Sequence, residues 1–184
     1  MLSQHHHDMG TKTNWVIDPG HSEIQFKVKH LAIANVAGTF KIFSGHAVCD
    51  GDLFAGAAVS FEMEATSIDT NNAERDRHLK SEIFLNAEKF PKITFNGVLV
   101  QEDGDYRLTG DLTLLATTKR ISLNVEHTGT GVGRFNDTRA GFEISGKINR
   151  KDFGLDFNLL TDVGSLVVGE EIRIHADVEL IQKQ

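Results

Sequence analysis

The chain has 184 residues, with 19 Lys plus Arg against 26 Asp plus Glu, a formal net charge of −7. That length suits one domain with a sizeable core, and at 40% hydrophobic and 24% charged residues there is too much apolar surface for a disordered chain. No run approaches the ~20 apolar residues of a membrane-spanning helix, and the acidic balance argues against a nucleic-acid platform, which presents a basic face.

From the N-terminus, residues 1–12 carry His5, His6 and His7 and no strand pattern, so they are expected to be a flexible tail or the remnant of a tag, with one domain over 13–184. A basic stretch followed by an apolar one, the mark of a secretory leader, does not occur there. The expected compartment is the cytoplasm for the chain as it stands, or the periplasm if a leader has been removed. The single cysteine, Cys49, permits no intramolecular disulfide and removes every Cys-based metal motif.

A period of two then dominates, as in strands with one buried face. Ile24, Phe26 and Val28 share a face that His30 continues, with Gln25, Lys27 and Lys29 on the other. Val36–Phe43 is a further strand, and Ala57, Val59, Phe61 and Met63 form the next apolar row. Residues 72–87 lack the strand period and read as a helix, capped by Asn71 or Asn72 and ended before Pro91. Ile93, Phe95 and Leu99 share a face across Gly97, followed by Tyr106, Leu108, Leu112 and Leu114. Ile121, Leu123 and Val125 come next, then Phe142, Ile144 and Ile148, the region Phe153–Leu160, and finally Ile172, Ile174, Ala176, Val178 and Leu180. Asp50-Gly51 and Asp103-Gly104 are hairpin signals because both residue types tolerate positive φ. Gly129, Gly131 and Gly133 are expected to form a loop. Eight or more strands with one helix and no β–α–β alternation make an all-β antiparallel barrel or sandwich.

Two readings of the 12 Phe residues stay open on alternation alone: a filled core, or the lining of a cavity for an apolar ligand. The polar segment Ser67–Phe84 gathers Asp69, Arg75, Asp76, Arg77 and His78. Its sharp reading is an acid–base site in which an Asp orients His78 and an Arg stabilises an anion. Its plain reading is a capped, solvated helix. No nucleophile elbow, phosphate loop or dinucleotide fingerprint accompanies it, and the histidines beyond the tail show no metal-ligand spacing.

The runs IDPGHSEIQFKVKH (17–30), VAGTFKIFSG (36–45), SIDTNNAERDRHLKSEIF (67–84), EKFPKITF (88–95), INRKDFGLDF (148–157) and LVVGEEIRIHADVEL (166–180) occur in that order. Together they resemble the YceI-like family of polyisoprenoid-binding, lipocalin-like proteins, over Asn14 to about Gln182. The most specific element is Asp69-Thr70 followed by Arg75-Asp76, His78 and Leu79. The resemblance implies an extended eight-stranded antiparallel barrel with one short helix at one end, enclosing a tunnel for a long isoprenoid lipid such as a quinone tail or polyprenyl phosphate.

On that reading Ile24, Phe26, Val28, His30, Phe40, Val59, Phe61 and Met63 line the tunnel on the first strands. Phe84, Ile93, Phe95, Leu112, Leu114, Phe142, Ile144 and Phe153 continue the lining. Asp69, Thr70, Arg75, Asp76, His78 and Arg150 form a polar latch or head-group neighbour. The partner is the lipid itself, with no nucleic acid, no integral membrane segment and neither metal nor cofactor expected; a homodimer is left open. One departure is Ala116-Thr117, where a Gly-Val turn is common. A lipid of about 40 carbons, at roughly −0.3 kcal/mol per heavy atom, would gain on the order of −12 kcal/mol, about nanomolar affinity. Rival readings are an enzyme acting on such a lipid through Asp76 and His78, and a structural barrel with a filled interior.

Overall fold

The computed structural model describes residues 11–30, 34–155 and 168–184. Its strands are β1 (Lys12–Ile17), β2 (Glu23–His30), β3 (Ala34–Phe40), β4 (Phe43–Asp50), β5 (Leu53–Glu64), β6 (Ile68–Asp69), β7 (Lys92–Glu102), β8 (Asp105–Leu114), β9 (Thr117–Val132), β10 (Thr138–Asn149) and β11 (Val168–Lys183). The helix α1 covers Ala73–Lys80. Every pairing is antiparallel, in the order β1-β4-β5-β7-β8-β9-β10-β11, and β11 pairs back onto β1 to close an eight-stranded barrel. At roughly 3.4 Å per residue the 16 residues of β11 run for about 50 Å, so the barrel is long as well as closed.

β11 is also where the barrel opens out. Its C-terminal part, Leu180–Lys183, pairs with β1, while its N-terminal part pairs with β2 between Val168 and Asp177. β1 and β2 are thus one broken strand, interrupted by the single 3-10 turn Pro19–His21. Beyond the break, the β2–β3–β6 extension and α1 form a roof over one end of the barrel. Asp18 fastens the break: its carboxylate accepts from the Gly20 N–H at 3.0 Å, and its own N–H donates to the Glu179 carbonyl at 2.9 Å. Arg139 on β10 donates to Asp18 and Glu179 at 2.8 Å each, and forks onto both oxygens of Asp137 at 3.0 and 3.1 Å. The Arg139 guanidinium and the His21 ring hold the Asp18 carboxyl at about 2, below its ordinary 3.8.

Local chemistry explains where the elements differ from the sequence pattern. β1 begins at Lys12, a residue assigned to the tail. The helix is 8 residues long rather than 16: the Asn72 side chain caps it by accepting from the Arg75 N–H, and Ser81 ends it, its hydroxyl and N–H both donating to the His78 carbonyl. Gly129 and Gly131 lie inside β9, because pairing with β10 continues through Gly141↔Gly129 and Arg139↔Gly131. The loop is therefore the short segment after Val132.

Phe153 ends the 3-10 turn Arg150–Phe153, and Gly154 at φ 78° caps it. Those residues are not strand, and 156–160 of that expected element lie outside the described residues. At Asp103-Gly104 both φ values are positive, at 50° and 88°. The first hairpin closes at Asp50↔Leu53 with Gly51 as its positive-φ residue. The departing turn falls on Leu115-Ala116, closed by the pair Leu114↔Thr117, with Leu115 at φ 56°.

The barrel interior is built from the apolar rows, and glycines in those rows let large rings lie flat against the wall. Gly97 on β7 faces Gly110 on β8. A Cβ on Gly110 would stand 2.2 Å from the Asn96 carbonyl oxygen, and one on Gly97 would stand 2.8 Å from the Phe95 ring. Only glycine permits that approach. Cys49 is fully buried in the wall, and burial together with nearby Asp50 pushes its thiol pKa up.

Candidate functional site

Alternation in β2, β5, β7, β8, β10 and β11 turns the aromatic and branched rows inward, where they enclose two apolar chambers. The first, of about 210 Å³, lies under the roof: Ile24, Phe26 and Val28 from β2, Val36 and Phe40 from β3, Ile68 from β6, Leu79 from α1, Phe84 and Leu85 after it, and Ile93, Leu112, Leu114, Ile148, Leu155, Ile172 and Ile174 opposite. The second, of about 170 Å³, lies within the closed barrel between Val59, Phe61, Phe95, Leu99, Leu108, Ile121, Leu123, Val125, Phe142, Ile144, Ala176, Val178 and Leu180. Ile24, Met63, Leu112 and Ile174 belong to both walls, so the chambers adjoin in series with those four residues on their common boundary, here termed the waist.

At the far end of the second chamber an aromatic group packs across the barrel. Phe54 meets Trp15 at 5.3 Å, Phe142 at 5.1 Å and His127 at 5.0 Å between ring centres, and His127 stacks on Phe142 at 4.9 Å. His46 and Ser60 border this chamber, but they alternate with inward Ala47, Val59 and Phe61, and the Ser60 hydroxyl donates outward to Asn96 at 3.1 Å.

Charged and ionisable side chains on the first chamber are Arg75, His78 and Arg150. Thr70, buried at 4% exposure, organises this end. Its N–H donates to the Asp76 carboxylate at 2.8 Å, and its hydroxyl donates to the same oxygen. Arg75 in turn donates from Nε to the Thr70 hydroxyl at 2.8 Å and from Nη2 to the Thr70 carbonyl at 2.7 Å. Arg75 and Asp76 are therefore joined through Thr70 rather than as a direct ion pair. Asp69 accepts from the Asn71 N–H at 2.8 Å, which shapes the turn into the helix.

Arg150 is buried at 5% exposure; it donates to the Leu155 carbonyl and, at 3.0 Å, to the Gly169 carbonyl. It thus binds the 3-10 turn after β10 to the start of β11. Asp76 is engaged by Thr70, and the His78 ring sits 5.9 Å from that of Phe84. An Asp76–His78 acid–base pair is not what this geometry assembles.

Of the residues expected on the tunnel, Ile24, Phe26, Val28, Phe40, Val59, Phe61, Met63, Phe84, Ile93, Phe95, Leu112, Leu114, Phe142 and Ile144 line one chamber or both. Phe153 does not: it is buried to 1% exposure in the core behind the wall, because the 3-10 turn rather than a strand carries it. The His30 side chain lies outside what the structure describes. Phe54, Leu79, Leu85, Ile148, Leu155 and Ile174 were not among the expected lining residues. Ile148 and Ile174 stand in rows that alternation had identified, whereas Leu79, Leu85 and Leu155 lie in helix or turn, where no strand period could reveal them.

Among the described residues two groups of acidic and histidine side chains lie close enough to share an ion: Asp18, His21 and Glu179, and Glu143, His175 and Asp177. In the first the Arg139 guanidinium supplies the positive charge; the second is an exposed cluster on the outer face of β10 and β11. No helix among the described residues is long and apolar enough to cross a membrane.

The profile of the YceI-like domain matches residues 15–180. Protein YceI of Escherichia coli O157:H7 is 40% identical over 165 residues, covering 89% of this chain and 83% of the relative. Among solved structures, Burkholderia cenocepacia BcnA superposes with a TM-score of 0.76 at 19% identity, covering 89% of this chain and 98% of that one. A polyisoprenoid binding domain from Saccharophagus degradans, implicated in plant cell wall breakdown, superposes with a TM-score of 0.69 at 13% identity, covering 92% and 98%.

Proposed function

The chain belongs to the YceI-like domain family, and from that premise we propose that it binds and carries one long apolar lipid of the isoprenoid class. The tail occupies the two chambers, and the polar end lies beside Arg75, His78 and Arg150. The observation that carries this reading is the pair of chambers in series, walled by apolar side chains, with both arginines of the described lining, Arg75 and Arg150, on the first chamber. Each chamber is smaller than the ~300 Å³ at which sites for small molecules begin, and the two in series pass it. A ligand long enough to use the whole space is therefore favoured over a compact one. The polyisoprenoid binding domain of the same fold from Saccharophagus degradans supports the choice of ligand class.

Binding rather than conversion is the reading the same geometry supports. Asp76 is satisfied by Thr70 and Arg150 by backbone carbonyls, so these groups hold the fold and leave apolar burial as the source of affinity. A filled structural barrel is disfavoured by the chambers themselves. Native mass spectrometry of the purified protein, followed by organic extraction, tests the proposal. An intact isoprenoid recovered at one per chain, with affinity little changed between low and high salt, is the expected result. A chain that takes up no isoprenoid, or that consumes it, would overturn the reading.

A further inference from the structure

We infer that Met63 is the residue that sets how long an apolar chain the protein accepts, acting as the movable element of the waist between the two chambers. This rests on the carrier reading above and adds to it a specificity-determining residue. The waist consists of Ile24, Met63, Leu112 and Ile174, the four side chains common to both walls. They do not have equal freedom. Ile24 and Leu112 are buried at 8% and 9% exposure, and Ile24 and Ile174 are β-branched, which confines χ1.

Met63 differs on each count. It is half-buried, unbranched and near the end of β5, where it pairs with Phe43 on one side and Ile93 on the other. Its three side-chain torsions give it access to both volumes, since it has open space above and below it. With its thioether across the waist, a short chain is confined to the first chamber. With the thioether laid along either wall, the second chamber joins the first, and a longer chain runs through as far as the group of Phe54, His127 and Phe142 that packs across the end.

The experiment uses the full chain and three linear isoprenoid alcohols of two, three and four isoprene units, geraniol, farnesol and geranylgeraniol, with affinity and association rate measured for each. For the wild type, affinity rises about tenfold per added unit. In Met63→Trp, which fills the waist, geranylgeraniol loses at least tenfold more affinity than geraniol does, so the gain with chain length disappears. Met63→Ile keeps a similar volume but stiffens the side chain, so it slows association of geranylgeraniol several-fold more than that of geraniol; this variant decides the matter if Met63→Trp fails to fold. Unchanged length dependence in Met63→Trp, or equal association rates in Met63→Ile, would overturn the gate and leave the carrier reading standing. A wild type that binds none of the three alcohols would overturn both.

Discussion

Replacing Thr70 by valine removes one hydroxyl and almost nothing else, and the structure says what that hydroxyl does. It donates to the Asp76 carboxylate and accepts from Arg75 Nε, so two hydrogen bonds with charged partners disappear together. Bonds of that kind contribute about 1.5–3 kcal/mol each when the partner is left stranded. Here both charged groups are half-buried and keep a second bond to the Thr70 backbone, and water can reach them, which brings the sum down to about 2 kcal/mol.

For a chain of this size 1 kcal/mol moves the melting temperature by roughly 2–4 °C. Thr70→Val should therefore melt about 4–8 °C below the wild type in a calorimetric scan. Thr70→Ser keeps the hydroxyl and loses only the methyl group that packs beside Gly38, so it should lie between the two. Thr109→Val, which removes a neutral hydroxyl facing Ser122, should change stability by less than about 0.5 kcal/mol. A Thr70→Val protein as stable as wild type, or a Thr70→Ser protein less stable than Thr70→Val, would refute the latch.

Two further outcomes follow from the geometry. Because the folded-state value of Asp18 is lowered from 3.8 to about 2, its contribution is complete above pH 4 and is lost as the pH falls toward 2. After solvent screening it amounts to about 1–2 kcal/mol, so Asp18→Asn should lose less melting temperature than wild type between pH 5 and pH 2, and parallel curves would contradict this. A Cβ at Gly38 would stand 2.4 Å from the tip of the Phe26 ring and 2.9 Å from the Thr70 methyl. Gly38→Ala should then cost about 1–3 kcal/mol and weaken geranylgeraniol binding by displacing the ring that lines the first chamber, whereas unchanged stability and affinity would show that the ring has room to move.

The strand rows were legible in the sequence because a two-residue period is a local property: Ile24–Phe26–Val28 or Phe142–Ile144 announces a buried face whatever it faces. Alternation left open whether that face packs solid or surrounds space, since cavity volume depends on how eleven strands are spaced and not on any one of them. The length of α1 was misjudged because Ser81, an ordinary helix residue by pattern, turns its hydroxyl onto the His78 carbonyl and stops the helix. Gly129 and Gly131 read as a loop because glycine is a local breaker, yet their pairing with β10 outweighs that preference. The tertiary structure alone could assemble the fastening at Arg139, whose partners Asp18 and Glu179 lie 121 and 40 residues away in the chain. It alone could show that Thr70 stands between Arg75 and Asp76. The same holds for the waist: Ile24, Met63, Leu112 and Ile174 come from four strands, and only closure of the barrel puts all four on the boundary of both chambers.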